Sequence, residues 1–170
     1  MAIVFPVGVS AQGNTAVAFT TTMTSTTAPK IADITAVGSI TLSCYLTDFN
    51  LTGSQNSGTD SRLCSKQLFE APGFETYSVE DLVYITDPQG SSATDAEAIM
   101  VDGAVGWLVE RLGIDATLTD WVVGQKVNVI PVTLGVRWPT KTSSDEFGKF
   151  ALTQKVFVTA APTFKKTTVA

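Results

Sequence analysis

Histidine is absent from the 170 residues. That removes Ser-His-Asp and Cys-His nucleophiles, His-ligated zinc, haem on histidine and imidazole proton relays. Charge is scarce too: Asp, Glu, Lys and Arg make up 16% of the chain, against about a quarter in an ordinary soluble domain. Sixteen acids and eleven bases leave a net −5, a poor balance for gripping phosphates. No run of about 18 apolar residues occurs, so no membrane span is expected. Cysteine is limited to Cys44 and Cys64, too far apart in sequence for a CxxC metal or redox motif. Two readings of them stand. They are buried thiols in a reduced compartment, or a pair brought close by a hairpin turning near Ser54.

What is present is apolar: 44% hydrophobic residues and a mean hydropathy of +0.22. That suffices for one domain with a sizeable core, and it argues against disorder. Before Lys30 there is no charged residue, and Thr20 to Thr27 is threonine-rich. The start is not read as a secretory leader, because it has no basic end and Gln12 and Asn14 interrupt it. Residues 1–29 read as an extended arm that needs a partner surface, or alternatively as a first strand after a loose start.

Alternation of period two then dominates. Strands are expected at Ile40 to Leu46, Leu63 to Phe69, Thr76 to Thr86, Val105 to Leu112, Val127 to Trp138 and Phe150 to Ala160. Lys30 to Ala36 suggests one helical turn. Ser92 or Thr94 could cap a helix through Ala96, Ile99 and Met100, with Gly103 ending it. Asn50 to Asp60, rich in Gly, Ser and Asn, reads as a polar loop, and Pro72-Gly73 as a turn. Pro131 should place its strand at an edge or bulge. The expected fold is mainly β: a β-sandwich or partial barrel over residues 30–160 with one flanking helix, and an extended C-terminal tail over 161–170.

Charge is divided unevenly along the chain. Residues 1–125 sum to −10 and residues 126–170 to +5, which suits a head-to-tail meeting of copies. Acid-base chemistry has two candidates, Glu80-Asp81 and Asp145-Glu146. Neighbours on a strand face opposite ways, and acids in a serine-rich loop are ordinarily solvated. No Walker loop, GxGxxG, GxSxG or EF-hand spacing occurs. Asn50-Leu51-Thr52 fits a glycosylation sequon but has no secretory context. Trp107, Trp121 and Trp138 fall on separate segments and read as core or interface anchors. No enzyme, metal or cofactor is expected.

Six stretches carry a resemblance: SCYLTDFN (Ser43 to Asn50), SRLCSKQLFEAPG (Ser61 to Gly73), SVEDLVYITDPQ (Ser78 to Gln89), GWLVERLGID (Gly106 to Asp115), GQKVNVIPV (Gly124 to Val132) and LTQKVFVTA (Leu152 to Ala160). In their order the chain resembles the tail tube protein, or major tail protein, of long-tailed phages infecting actinobacteria. The resemblance implies a virion tail subunit, made in the host cytoplasm. Six copies would form a ring and rings would stack into a conduit for double-stranded DNA. Its implied partners are further copies of itself, the tape measure protein, the tail terminator and the distal tail proteins. Six copies would carry a charge of about −30, which repels phosphate and favours sliding.

Asn50, Gly53, Ser54, Gln55, Asn56, Ser57, Gly58 and Asp60 are candidates for ring-to-ring contact. Thr41, Ser43, Asp48 and Glu110 are candidates for the lumen wall. The alternatives are a β-sandwich module binding carbohydrate or a receptor, which would need an exposed aromatic platform, and a capsid-decorating protein.

Overall fold

A computed structural model describes residues 8–60, 64, 68–90, 96–118 and 120–167. In chain order the elements are β1 (Thr15–Thr20), α1 (Ile31–Ile34), β2 (Ile40–Thr41), β3 (Leu51–Asp60), β4 (Phe69–Val79), β5 (Leu82–Ile85), α2 (Ala96–Ile99), β6 (Val105–Leu112), β7 (Lys126–Lys141), β8 (Phe150–Val158) and β9 (Thr163–Thr167). One sheet runs β2-β1-β6-β7-β8-β5, with β9 also on β7, and all its pairings are antiparallel. It is curled into a half-barrel, so the mainly β expectation holds. β3 and β4 form a separate two-stranded ribbon.

β1 explains how the uncharged start is used. Every residue from Ala16 to Thr20 is buried, and the strand lies between β2 and β6. Val17 and Phe19 enter one core with Leu108, Ile130, Val132 and Leu134. Ala16 and Ala18 face the other way, toward Ile34, Val109, Trp121, Val127 and Val129. Period-two alternation thus sends large side chains to one face and small ones to the face where α1 packs. The first-strand reading of the start holds for Thr15–Thr20; residues 1–7 lie outside the described part.

Past β1, the threonines are tied down by Asp33. Its carboxylate accepts from Thr24 N–H at 2.9 Å and Thr24 Oγ1 at 2.8 Å, while the buried Thr20 hydroxyl donates to the Asp33 carbonyl at 2.7 Å. Burial alone would raise the Asp33 pKa. The bonds from Thr24 and Lys30 and the Lys30 charge outweigh it, and the carboxyl sits below its ordinary value.

Several expected elements are corrected. The alternation at Ile40 to Leu46 gives a strand only at Ile40–Thr41. Leu46 N–H then donates to the Leu42 carbonyl at 2.9 Å in a helix-like turn, and Leu42 is fully buried. Asn50 to Asp60 is no loop: Leu51–Asp60 is a strand, with Asn50 just before it. Pro72-Gly73 is no turn: β4 runs straight through it, and a bulge places Gly73 and Phe74 opposite Asn56. A Cβ on Gly73 would lie 2.8 Å from the Asn56 carbonyl oxygen, so the glycine permits the bulge. The expected strand Thr76 to Thr86 breaks at Glu80-Asp81 into β4 and β5. The tail is a strand as well, since Thr163–Thr167 pairs with β7. The expected strand from Leu63 and the caps Ser92 and Thr94 lie largely or wholly outside the described residues.

β7 is interior rather than an edge. Pro131 is tolerated because its carbonyl accepts from Thr159 N–H at 3.0 Å. In an antiparallel strand a residue's N–H and C=O point the same way, so the missing donor faces the junction where the neighbour changes from β9 to β8.

Two polar anchors fix the periphery. Arg111, 1% exposed, donates to the carbonyls of Asp115, Leu118 and Asp120, and its guanidinium lies 5.0 Å from the Trp121 ring centroid. Desolvation lowers the Arg111 pKa. Arg137 joins β7 to the α2 segment through Asp102 Oδ1 at 2.8 Å and the Glu97 carbonyl at 2.6 Å.

Candidate assembly surface

Open sheet edges are where a β subunit can add another chain. Two of the main sheet's edges are blunted. β2 is two residues long, and the far side of β5 is occupied by the Tyr45–Thr47 segment through Thr47 N–H to the Val83 carbonyl, Ile85 N–H to the Tyr45 carbonyl and the Leu46–Tyr84 bridge. The ribbon differs. Leu51↔Val79 to Asp60↔Phe69 is a ladder of about 30 Å at ordinary strand rise. Neither outer edge is assigned a pairing among the described residues.

The ribbon's faces are as bare as its edges. Its base is anchored by Leu51 and Val79 in the main core and by the Tyr77 and Phe164 rings, with centroids 6.1 Å apart. Beyond that the side chains are largely exposed, including Phe69 at 60% and Phe74 at 88%. Pairing register sorts them. Glu70, Glu75 and Tyr77 share one face with Gln55 and Thr59; Phe69, Ala71 and Phe74 take the other with Asn56 and Gly58. On the first face Glu75 accepts from the Tyr77 hydroxyl at 2.7 Å and from Gln55 Nε2 at 3.4 Å. The Tyr77 bond to Glu75 raises the phenol's pKa.

Seven of the proposed contact residues, Gly53, Ser54, Gln55, Asn56, Ser57, Gly58 and Asp60, therefore stand on one strand of this ribbon, and Asn50 closes its base through Glu80. The four lumen candidates are more scattered. Ser43 and Asp48 line one open cleft of about 450 Å³ with Val17, and Ser43 Oγ accepts from Val17 N–H at 3.0 Å. Glu110 pairs with Val17 in register, is 8% exposed and accepts from Asn128 Nδ2 at 2.7 Å. Thr41 pairs with Ala18, toward the opposite side of the sheet.

Cys44 and Cys64 are both free and exposed rather than buried. Cys44 precedes the ribbon's base and Cys64 lies beyond its far end, so roughly 30 Å of strand separates them. A disulfide needs Cα atoms within about 7 Å, and the structure leaves both thiols free.

The acid pairs serve turns. Glu80 sits at the β4–β5 break, and Asp145 accepts from the Ser143 hydroxyl and Phe147 N–H inside its own loop. Those bonds, Ser143 first, hold the Asp145 carboxyl below its ordinary value. Among the described residues no group of three or more Cys, Asp or Glu could hold a metal, and no helix is long and apolar enough to cross a membrane.

Sequence reading missed a second bare area. On the face where α1, Met23 and Trp121 cover β1, β6 and the start of β7, the far part of the sheet is exposed among the described residues. There Val105, Thr133 and Phe157 lie in one cross-strand row and Trp138 and Thr153 in another, with Val105 and Trp138 about two-thirds exposed. Apolar residues recurring at 136, 138, 147, 150 and 157, interleaved with lysine, were the available signal.

A curled sheet carrying a long ribbon, whose outer edges have no assigned pairing among the described residues, defines a mainly β subunit. The chain belongs to the phage tail tube protein family, which matches residues 4–170. Membership places it in the virion tail, as a subunit that assembles with copies of itself into a tube. No curated protein matches the chain.

Proposed function

We propose that the chain forms hexameric rings stacked into a conduit through which double-stranded DNA is ejected, and that the β3–β4 ribbon joins one copy to the next. The observation that carries this is the ribbon itself: about 30 Å of two-stranded sheet whose outer edges have no assigned pairing and whose faces beyond the base are exposed among the described residues. An isolated pair of strands is marginal in water, and closure of a sheet across copies gives each edge a partner. Asn50, Gly53 to Gly58 and Asp60 contact neighbouring copies. Thr41, Ser43, Asp48 and Glu110 belong to or lie behind the bore wall. At −5 per chain the assembly repels phosphate, so the duplex slides without specific binding. Tape measure, terminator and distal tail proteins meet the tube at its interior and ends. The unassembled chain resides in the host cytoplasm.

Negative-stain microscopy of concentrated protein tests the reading. Six-fold rings or tubes support it; dispersed monomers, or isolated trimeric knobs as a capsid-decorating protein would give, overturn it. Removing five residues from β3 alone would shift its register, so the ribbon is better shortened on both strands. Replacing residues 54–76, bounded by the pair Ser54↔Thr76, with Asn-Gly should leave a folded body that does not polymerise. The three tryptophans do not form the common platform that a carbohydrate module would need: Trp121 is buried under Arg111, Trp107 is half-buried and Trp138 alone is exposed.

A further inference from the structure

We infer that the Phe69–Phe74 face of one copy's ribbon docks on the bare β7–β8 face of a second copy, over Phe157, Trp138 and Lys155. This rests on the tube reading and adds which two surfaces meet. Two observations select the occupant. First, both surfaces are apolar and uncovered within the chain: Phe74 is 88% exposed, Trp138 66% and Phe157 51%. The body face is preformed, because Gly135 has no side chain at the β7 bulge. A Cβ there would meet the Phe157 ring at 3.2 Å and Lys155 Cβ at 3.3 Å. Both side chains therefore lie flat, with Lys155 Nζ 5.9 Å from the Phe157 ring centroid.

Second, the charges are complementary. The ribbon from Leu51 to Val79 holds Asp60, Glu70 and Glu75 against Arg62 and Lys66, whereas residues 126–158 hold Lys126, Arg137, Lys141, Lys149 and Lys155 against Asp145 and Glu146. The two segments thus carry −1 and +3, so a ribbon meets a body with less charge repulsion than a body meets a body. Because the surfaces differ, each copy offers one and receives the other. Such a heterologous contact closes into a ring or continues as a helix.

The test uses full-length chains with Cys44→Ser and Cys64→Ser. Phe74→Cys is placed in one chain and Phe157→Cys in another; the two are mixed, assembled and oxidised. A disulfide between copies that needs both cysteines, and that a Val37→Cys control on the first chain does not reproduce, supports the docking. Rings or tubes without that bridge overturn the docking and leave the tube reading standing. A bridged species that never exceeds a dimer, with unsubstituted protein also failing to form rings, overturns the tube reading instead. Separately, Phe74→Asp should keep the wild-type melting temperature and raise the protein concentration needed for assembly about tenfold. Unchanged assembly would overturn the docking.

Discussion

The body and the ribbon are built from the same kind of strand and have opposite energetics. In β1, β6 and the first half of β7, both faces are packed, and every backbone ladder has neighbours on both sides. The ribbon has comparable ladder length but almost no burial beyond its base. Burial stabilises by roughly 25 cal/mol per Å² of apolar surface, whereas a backbone hydrogen bond exchanged for water contributes only about 1 kcal/mol. The body can therefore fold alone, and the ribbon needs neighbours. A subunit divided in this way has a body packed on its own and a ribbon whose faces are open among the described residues.

Changes on the body side should give the largest loss of stability. Leu108→Ala, at a fully buried position, should cost about 3 kcal/mol and lower the melting temperature by roughly 10 °C. Calorimetry checks this, and a shift below about 2 °C would mean that the core is looser than described. Arg111→Met comes next, at about 2 kcal/mol. It keeps apolar bulk beside Trp121 but leaves three carbonyls without their donor. Tryptophan emission should report the loosened loop, and unchanged emission with unchanged stability would refute the anchor.

A pH titration sharpens the comparison further. Burial pushes the Tyr84 phenol up to about 12. A raised folded-state value means that the unfolded chain loses its proton first. The stabilisation is complete below the ordinary phenol value of about 10 and disappears as pH rises toward 12. Body unfolding should steepen across that window, and Tyr84→Phe should flatten it at a cost of about 1 kcal/mol for the lost bond to Gln154 Oε1. Asp33 acts in the opposite sense: its lowered value gives a stabilisation that is lost as pH falls through it. Ribbon substitutions such as Phe74→Asp should move monomer stability least, within about 0.5 kcal/mol. A large destabilisation of the isolated subunit there would erase the distinction between the two regions.

The strands at Val105–Leu112, Val127–Trp138 and Phe150–Val158 were legible because their alternation matches the faces that the fold buries. Leu51–Asp60 was not, and for a physical reason: a ribbon with both faces in water needs no apolar alternation, so its Gly, Ser and Asn content looks like a loop. Ile40 to Leu46 misled in the other direction. Leu42 and Leu46 satisfy a spacing of two and also a spacing of four, and the chain uses the second. The uncharged start reads as an arm needing a partner surface or as a first strand; that Thr15–Thr20 lies between β2 and β6 of its own chain was not readable. The docking residues escaped notice because an isolated exposed phenylalanine is ordinary in a sequence, and significance comes only when several share one uncovered face.

Residue order by itself determined the mainly β class of fold, the lack of imidazole chemistry and the split of charge between the two parts of the chain, all of which depend on composition or on local spacing, and six stretches carried the resemblance to the family. Tertiary structure decided that the uncharged start supplies an inner strand at Thr15–Thr20, that the polar stretch after Asn50 is half of a ribbon, that the two thiols are free and exposed, and that aromatics far apart in the chain share one face. Those outcomes depend on which strand neighbours which, and pairing between distant segments is set by how the whole sheet curls and covers itself.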